Sequence, residues 1–212
     1  MGYENVASLA GGFRAWQQGG YTIDAPRTLD EQQMMRYSRH LTLPQVGLDG
    51  QMKLLNSRVL LIGAGGLGSP SAFYLAAAGI GTLGIIDDDV VDESNLQRQI
   101  AHTTYRVGIN KAESARDSLK ALNPSIEIIP YPFRLKHQQI MDVFADYDVV
   151  VDGTDNFTTR YLVNDACFWA KKPLVCAAIQ QFEGQATVIK PGDSACYRCI
   201  FPTPPPPDMV PT

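Results

Sequence analysis

The chain has 212 residues, 45% of them hydrophobic and 19% charged, enough for one full α/β domain with roughly thirty residues to spare. A net charge of −4 offers no basic stripe for nucleic acid, no apolar run approaches the ~20 residues of a membrane span, and the start "MGYENVASL" lacks the basic and apolar regions of a signal peptide. Four cysteines are too few for a disulfide framework, so a reducing, cytoplasmic setting is expected, with neither nucleic acid nor membrane as partner.

The first 27 residues stand apart, ending at "DAPRT" (24–28). Within them "NVASLAGGFRAWQQGGY" predicts a short strand, a Gly-Gly turn and a helix carrying Phe13 and Trp16, too little to bury a core alone. From Leu29, "LDEQQMMRYSRHL" spaces Leu29, Met34, Tyr37 and Leu41 at about helical period and predicts one helix, followed by a shorter one over "LDGQMKLLN". Strands and helices then alternate. Strands are expected at 57–63, 81–87, 125–131 and 148–155, and helices at 66–79, 108–123, 137–147 and 157–172. "PLVCAAI" and "EGQATVIK" are the last two strands. The fold class is therefore α/β: a Rossmann-like, mainly parallel sheet with helices on both faces. Cys167 and Cys176 lie in apolar periodic stretches and are expected to be buried thiols. The proline run from Pro202 reads as an extended crossing loop.

"GAGGLG" (63–68) matches G-x-G-x-x-G between a strand and a helix, with Gly63, Gly65, Gly66 and Gly68 serving a tight turn, close phosphate approach and close helix packing. The helix that follows aims free N–H groups and its positive end at an anion. About twenty residues on, Asp87 closes the second strand, placed to accept from ribose hydroxyls. This much also fits an NAD-dependent oxidoreductase. Against that reading, no downstream residue looks like a hydride-transfer acid, and "DDDVVDESNLQRQ" puts Asn95, Arg98 and Gln99 where ribose and phosphates would lie. Arg98 offers a fork of donors, and Lys111 on the next helix adds a point charge.

Six motifs, "RYSRH", "GAGGLGS", "DxDxVxxSNLQRQ", "GxxKAESARxxLxxLNP", "DGTDN" and "CYRC", occur in an order and spacing that resembles the ThiF/MoeB/HesA family, bacterial relatives of the ubiquitin-activating enzymes. The resemblance covers residue 28 or 29 to 212 and is strongest to MoeB-type molybdopterin-synthase adenylyltransferases, with the thiamine-pathway ThiF type close behind. It implies Mg-ATP-dependent adenylation of the C-terminal glycine carboxylate of a ubiquitin-like sulfur carrier (MoaD or ThiS type), giving an acyl-adenylate and pyrophosphate. By the family pattern Gly66, Asp87 and Asp89 hold the nucleotide. Ser94, Asn95, Leu96, Gln97 and Arg98 line the phosphates, Lys111 contacts them, Asp155 takes Mg²⁺ and Asn156 neighbours the nucleotide. Arg39 corresponds to an arginine that crosses a two-fold interface into the partner's site, implying a homodimer.

Cys196 and Cys199 match half of the family's structural zinc site, whose second Cys-x-x-Cys is absent here, so both are expected to be free thiols unless another subunit completes the site. Residues 1–27 resemble the C-terminal end of a rhodanese domain. Both ends thus read as cut, the back end inside the family's crossover loop. A nucleotide-binding remnant without turnover is the alternative to an active adenylyltransferase.

Overall fold

Tyr37 interrupts the first helical pattern. In the computed structural model, which describes residues 10–20 and 28–204, the segment expected as one helix divides into α2 (Glu31–Arg36) and α3 (Ser38–Leu41), with Tyr37 between them at φ −97° and ψ 11°. The break has a tertiary cause. Tyr37 is only 2% exposed, and its hydroxyl accepts from Asn123 Nδ2 at 3.0 Å. Its ring fits because position 79 is glycine: a Cβ there would meet the Tyr37 hydroxyl at 2.5 Å. Ahead of it, α1 (Gly12–Gln18) is the helix expected near the front, and the strand expected before it lies outside the described residues. Behind it, α4 (Gly47–Asn56) buries Leu55 and Gln51. Gln51 is satisfied on both sides, donating to Ala78 O at 3.0 Å and accepting from His40 Nδ1 at 2.7 Å.

The remaining chain builds one six-stranded sheet. β1 (Arg58–Ile62) lies at its centre between β2 (Thr82–Ile86) and β4 (Val149–Asp152). β3 (Glu127–Tyr131) flanks β2, β5 (Leu174–Gln180) flanks β4, and β6 (Glu183–Ile189) forms the edge. The first five strands pair parallel, while β6 runs antiparallel to β5. Parallel neighbours need crossovers, and helices supply them: α5 (Gly68–Ala78), α6 (Lys111–Leu122), α7 (Ile140–Ala145) and α8 (Phe157–Ala170). A last short helix, α9 (Tyr197–Ile200), starts inside the "CYRC" motif with Cys196 as its N-cap, where no helix was expected.

Side-chain alternation divides the core in two. Val59 and Leu61 of β1 face a layer with Ala72 and Ala76 of α5 and Leu119 of α6. Leu60 and Ile62 face the other layer, with Phe144 of α7, Val163 of α8 and Tyr197 of α9. Cys167 and Cys176 are buried in this second layer, as expected. No helix among the described residues is long and apolar enough to cross a membrane. The strand order reverses between β1 and β4, and in open α/β sheets a crevice forms at the carboxyl ends of strands at such a switch point.

Candidate functional site

A cavity of about 1070 Å³ opens at that switch point. Its walls come from the glycine loop after β1, the aspartates after β2, Arg98, Lys111 at the head of α6, the 153–156 loop after β4, and the β5–β6 hairpin. The loop geometry follows from its glycines. Gly63 has φ +90°, and a Cβ there would meet Gly153 O at 3.1 Å, so the two loops touch backbone to backbone. Gly68 is packed harder still, since a Cβ would sit 1.8 Å from Gly63 O. Helix α5 therefore starts directly under the cavity, with the positive end of its dipole toward it.

Asp87 pins this loop: its carboxylate accepts from Ala64 N at 2.7 Å and from Asp89 N at 2.9 Å. Burial pushes the Asp87 carboxyl above the ordinary aspartate value, against those two backbone bonds and the nearby Lys111. Lys111 Nζ lies 2.9 Å from Asp89 Oδ2, with the lysine side chain buried and the aspartate exposed. The head of α6 is fixed by Asn110, which caps Ala112 N and Glu113 N and donates to Asp87 O at 2.9 Å and Asp89 O at 3.1 Å. Asn110 and the Lys111–Asp89 pair thus tie the head of α6 to the loop after β2.

Arg98 passes over the glycine loop, its Cδ 3.6 Å from where a Gly66 Cβ would be. Its Nη2 donates to Asn95 Oδ1 at 3.1 Å, and Gln99 Nε2 donates to the same oxygen at 3.2 Å. Arg98 fixes Asn95 Oδ1 as an acceptor, which in turn fixes the Gln99 amide and leaves Gln99 Oε1 buried without a partner.

Of the residues expected to hold a nucleotide, Gly63, Gly65, Gly66, Asp87, Asp89, Arg98, Lys111, Asp155 and Asn156 line the cavity. Gly68 lies beneath it as a packing position. Ser94, Asn95, Leu96 and Gln97 lie behind the wall: Ser94 bonds to Asp92, and Asn95 reaches the cavity only through Arg98 and Gln99. Asp155 is exposed on the 153–156 loop, and Asn156 caps α8 by accepting from Thr159 N at 2.9 Å. Arg39 is exposed on α3 and does not line this cavity. Among the described residues, Asp87, Asp88 and Asp89 bring carboxylate oxygens within 4.8 Å of one another, a group that Asp155 does not join.

Three residues outside the expected set shape the site. His102 is buried and donates from Nε2 to Ala64 O at 3.0 Å, while Nδ1 accepts from Ser114 Oγ at 3.0 Å. A carbonyl only accepts, so the ring carries its proton on Nε2. Asp152 ends β4 fully buried, and its Oδ1 accepts both Thr154 N at 2.9 Å and Thr154 Oγ1 at 2.6 Å. That turn stops β4 at Asp152, short of the strand expected to residue 155. Arg160, buried on α8, donates to Thr154 O at 2.6 Å. None of these three carried a sequence signal; Asn110, which fixes the head of α6, did, in the N-x-x-E pattern ahead of a helix.

Cys196 and Cys199 stand apart from the cavity with their sulfurs 3.5 Å apart. That is near the ~3.8 Å edge of a tetrahedron of thiolates about 2.3 Å from zinc. Among the described residues no third ligand groups with them. The segment is clamped to α8: Tyr197 N donates to Asn164 Oδ1 at 2.8 Å, and Arg198 forms paired 2.7 Å bonds with Asp165.

The chain is 53% identical over 194 residues to the probable adenylyltransferase/sulfurtransferase MoeZ of Mycobacterium tuberculosis, covering 90% of this chain and 50% of that protein. It is 52% identical over 184 residues to the SAMP-activating enzyme E1 of Haloferax volcanii, covering 87% of this chain and 68% of that one. Among solved structures, E. coli MccB with ATP superposes at a TM-score of 0.70 with 29% identity, over 77% of this chain and 50% of that one. The chain spans about half the length of MoeZ, so it corresponds to a part of that protein. The ThiF family profile matches residues 37–212, and the chain belongs to the ThiF family.

Proposed function

We propose that this chain binds Mg-ATP in the switch-point cavity and adenylates the C-terminal glycine carboxylate of a ubiquitin-like sulfur carrier of the molybdopterin or thiamine type. The observation that carries the reading is the convergence of the glycine loop, Arg98, Lys111 and Asp155 on one cavity from four separate segments of the chain. The names of MoeZ and the SAMP-activating enzyme support the same chemistry. A carboxylate is ionised at neutral pH and attacks without a general base. Its oxygen forms a bond to the α-phosphorus, the bond from that phosphorus to the β-phosphate bridge breaks, and pyrophosphate leaves with the electron pair.

Catalysis of this step is positioning and charge neutralisation. The helix α5 start and the glycine loop seat phosphate oxygens; Arg98, steadied by Asn95, supplies a guanidinium fork over Gly66. Lys111 turns from Asp89 toward the phosphates or bridges the two. Asp155 offers the hard carboxylate oxygen Mg²⁺ prefers, and the ion when bound neutralises charge on the phosphates. Arg39, outside its own chain's cavity, serves the site of a second copy in a homodimer.

Exchange of labelled pyrophosphate into ATP, with a carrier ending in Gly-Gly, tests this. Exchange is expected from the wild-type chain and should vanish with Arg98→Ala or Asp155→Ala. Activity that persists in both variants refutes the site.

A further inference from the structure

The "CYRC" turn is not part of the cavity, yet one buried residue joins the two. Arg160 is 5% exposed and lines both the large cavity and a smaller one of about 110 Å³ against Tyr197 and Phe201. Through Nη2 it donates to Thr154 O at 2.6 Å and to Ala177 O at 3.1 Å. Its Nε lies 3.8 Å from Asp152 Oδ2, an oxygen with no hydrogen-bond partner. On the other side the guanidinium lies over the Tyr197 ring at 5.7 Å.

Tyr197 sits between the two cysteines and is 3% exposed. Its ring packs against Tyr161 at 5.3 Å and Phe201 at 5.0 Å, so its position is set by those two rings as well as by Arg160. Arg160 in turn holds the carbonyl of Thr154, the residue before Asp155. The route is therefore short and made of buried contacts: the thiol turn holds Tyr197, Tyr197 packs on Arg160, and Arg160 holds the 153–156 loop. A charge buried beside a carboxylate that lacks a full complement of bonds is sensitive to small displacement, because neither group can turn to water instead.

We propose that the turn of residues 196–199 is a positioning element for the nucleotide site, acting through Tyr197 and Arg160 on the loop that carries Asp155. This rests on the adenylation reading for its consequence in ATP binding, but the mechanical link is independent of it. Arg160 and Tyr197 are positioning residues here. The Mg²⁺-dependent part of nucleotide binding should feel them, whereas the part due to the glycine loop, Arg98 and Lys111 should not.

The test compares wild type, Tyr197→Phe and Tyr197→Leu by amide hydrogen exchange and by calorimetric titration with ATP, in Mg²⁺ or in EDTA. In Tyr197→Leu, amides 153–156 should exchange about fivefold faster or more, with amides 64–67 unchanged, and Mg-ATP should bind about fivefold more weakly. ATP in EDTA should change less than about twofold, and Tyr197→Phe, which keeps the ring but removes the hydroxyl's bond to Arg160, should fall between wild type and Tyr197→Leu. Unchanged exchange at 153–156 in folded Tyr197→Leu overturns the link, as does an equal rise at 64–67 and 153–156. Should that variant not fold, Asp165→Ala, which removes both acceptors that hold Arg198 to α8 at the surface, is read by the same measures. A wild-type chain that binds no ATP refutes the nucleotide reading, and the exchange comparison still decides the link.

Discussion

Gly66 and Gly68 stand two residues apart in one loop, and alanine at each should fail differently. At Gly68 a Cβ would lie 1.8 Å from Gly63 O and 2.8 Å from Gly63 C, both backbone atoms with no rotamer to yield. Separating Cβ and oxygen to about 3.4 Å, an ordinary C···O contact, takes a shift of roughly 1.6 Å between α5 and the end of β1. That shift breaks core packing on Leu61, and the cost belongs at the top of the overpacking range, about 3 kcal/mol or more. For a domain of this size it corresponds to a fall in Tm of about 6–12 °C. Gly66 has space: its nearest neighbour is Arg98 Cδ at 3.6 Å, and its φ is outside the left-handed region. Gly66→Ala should therefore cost less than about 1 kcal/mol, a Tm change within about 4 °C. Its methyl projects into the wall beneath Arg98, so pyrophosphate exchange should drop at least about tenfold, or 1.4 kcal/mol. Thermal melts by circular dichroism without nucleotide, alongside exchange assays, separate the two effects. Gly68→Ala melting within about 2 °C of wild type would refute the packing argument. Undiminished exchange in Gly66→Ala would remove the loop as the phosphate seat.

Two further outcomes follow from buried titratable groups. Burial holds the His102 imidazole below its ordinary 6.5, with Lys111 and Arg106 acting in the same direction against its bond to Ala64 O. A depressed folded value means that the stability it contributes is present above pH 6.5 and lost as pH falls through the folded value. His102→Gln keeps a donor for Ala64 O but does not titrate, so its urea unfolding free energy should fall less steeply than wild type below pH 6.5; parallel slopes would contradict a buried imidazole held below its ordinary value. For the thiols, burial pushes Cys167 up to about 12 and also raises Cys176, whereas Cys196 is half-buried and Cys199 exposed. Although its partial burial opposes it, bonds from Cys199 and Arg198 hold the Cys196 thiol below the usual value. Ellman's reagent on metal-free native protein should titrate two of the four cysteines quickly and the rest only on unfolding. Four fast thiols would mean that the second core layer is open.

What was legible in the sequence was what repeats locally. The continuous apolar run in "RVLLI", buried on both faces, and the helical spacing of "KAESARDSLKAL" need no partner to be read, and the alternation of strands and helices implies a parallel sheet with crossovers. The glycine loop was legible because each glycine answers a steric demand made by its own strand and helix. The break at Tyr37 was not, because its cause is Asn123, which is 86 positions away. His102 and Arg160 stayed hidden for the same reason. One looks like an isolated histidine and the other like a solvated arginine in a helix, until Ala64 O is brought to the first and Ala177 O and Tyr197 to the second.

The residue pattern by itself determined the α/β class, the place of the phosphate-type loop, and the ThiF-type order of motifs, since these depend on spacing along the chain. Only the tertiary structure decided which of the motif residues face the cavity and which stand behind it. Asn95 supports Arg98 instead of lining the wall, Lys111 is held by Asp89, and the "CYRC" turn leans on the nucleotide loop through Arg160. Those assignments depend on which hydrogen-bond donors and acceptors burial brings within 3 Å or so of one another, and distance in space between residues far apart in sequence is not encoded in any local period.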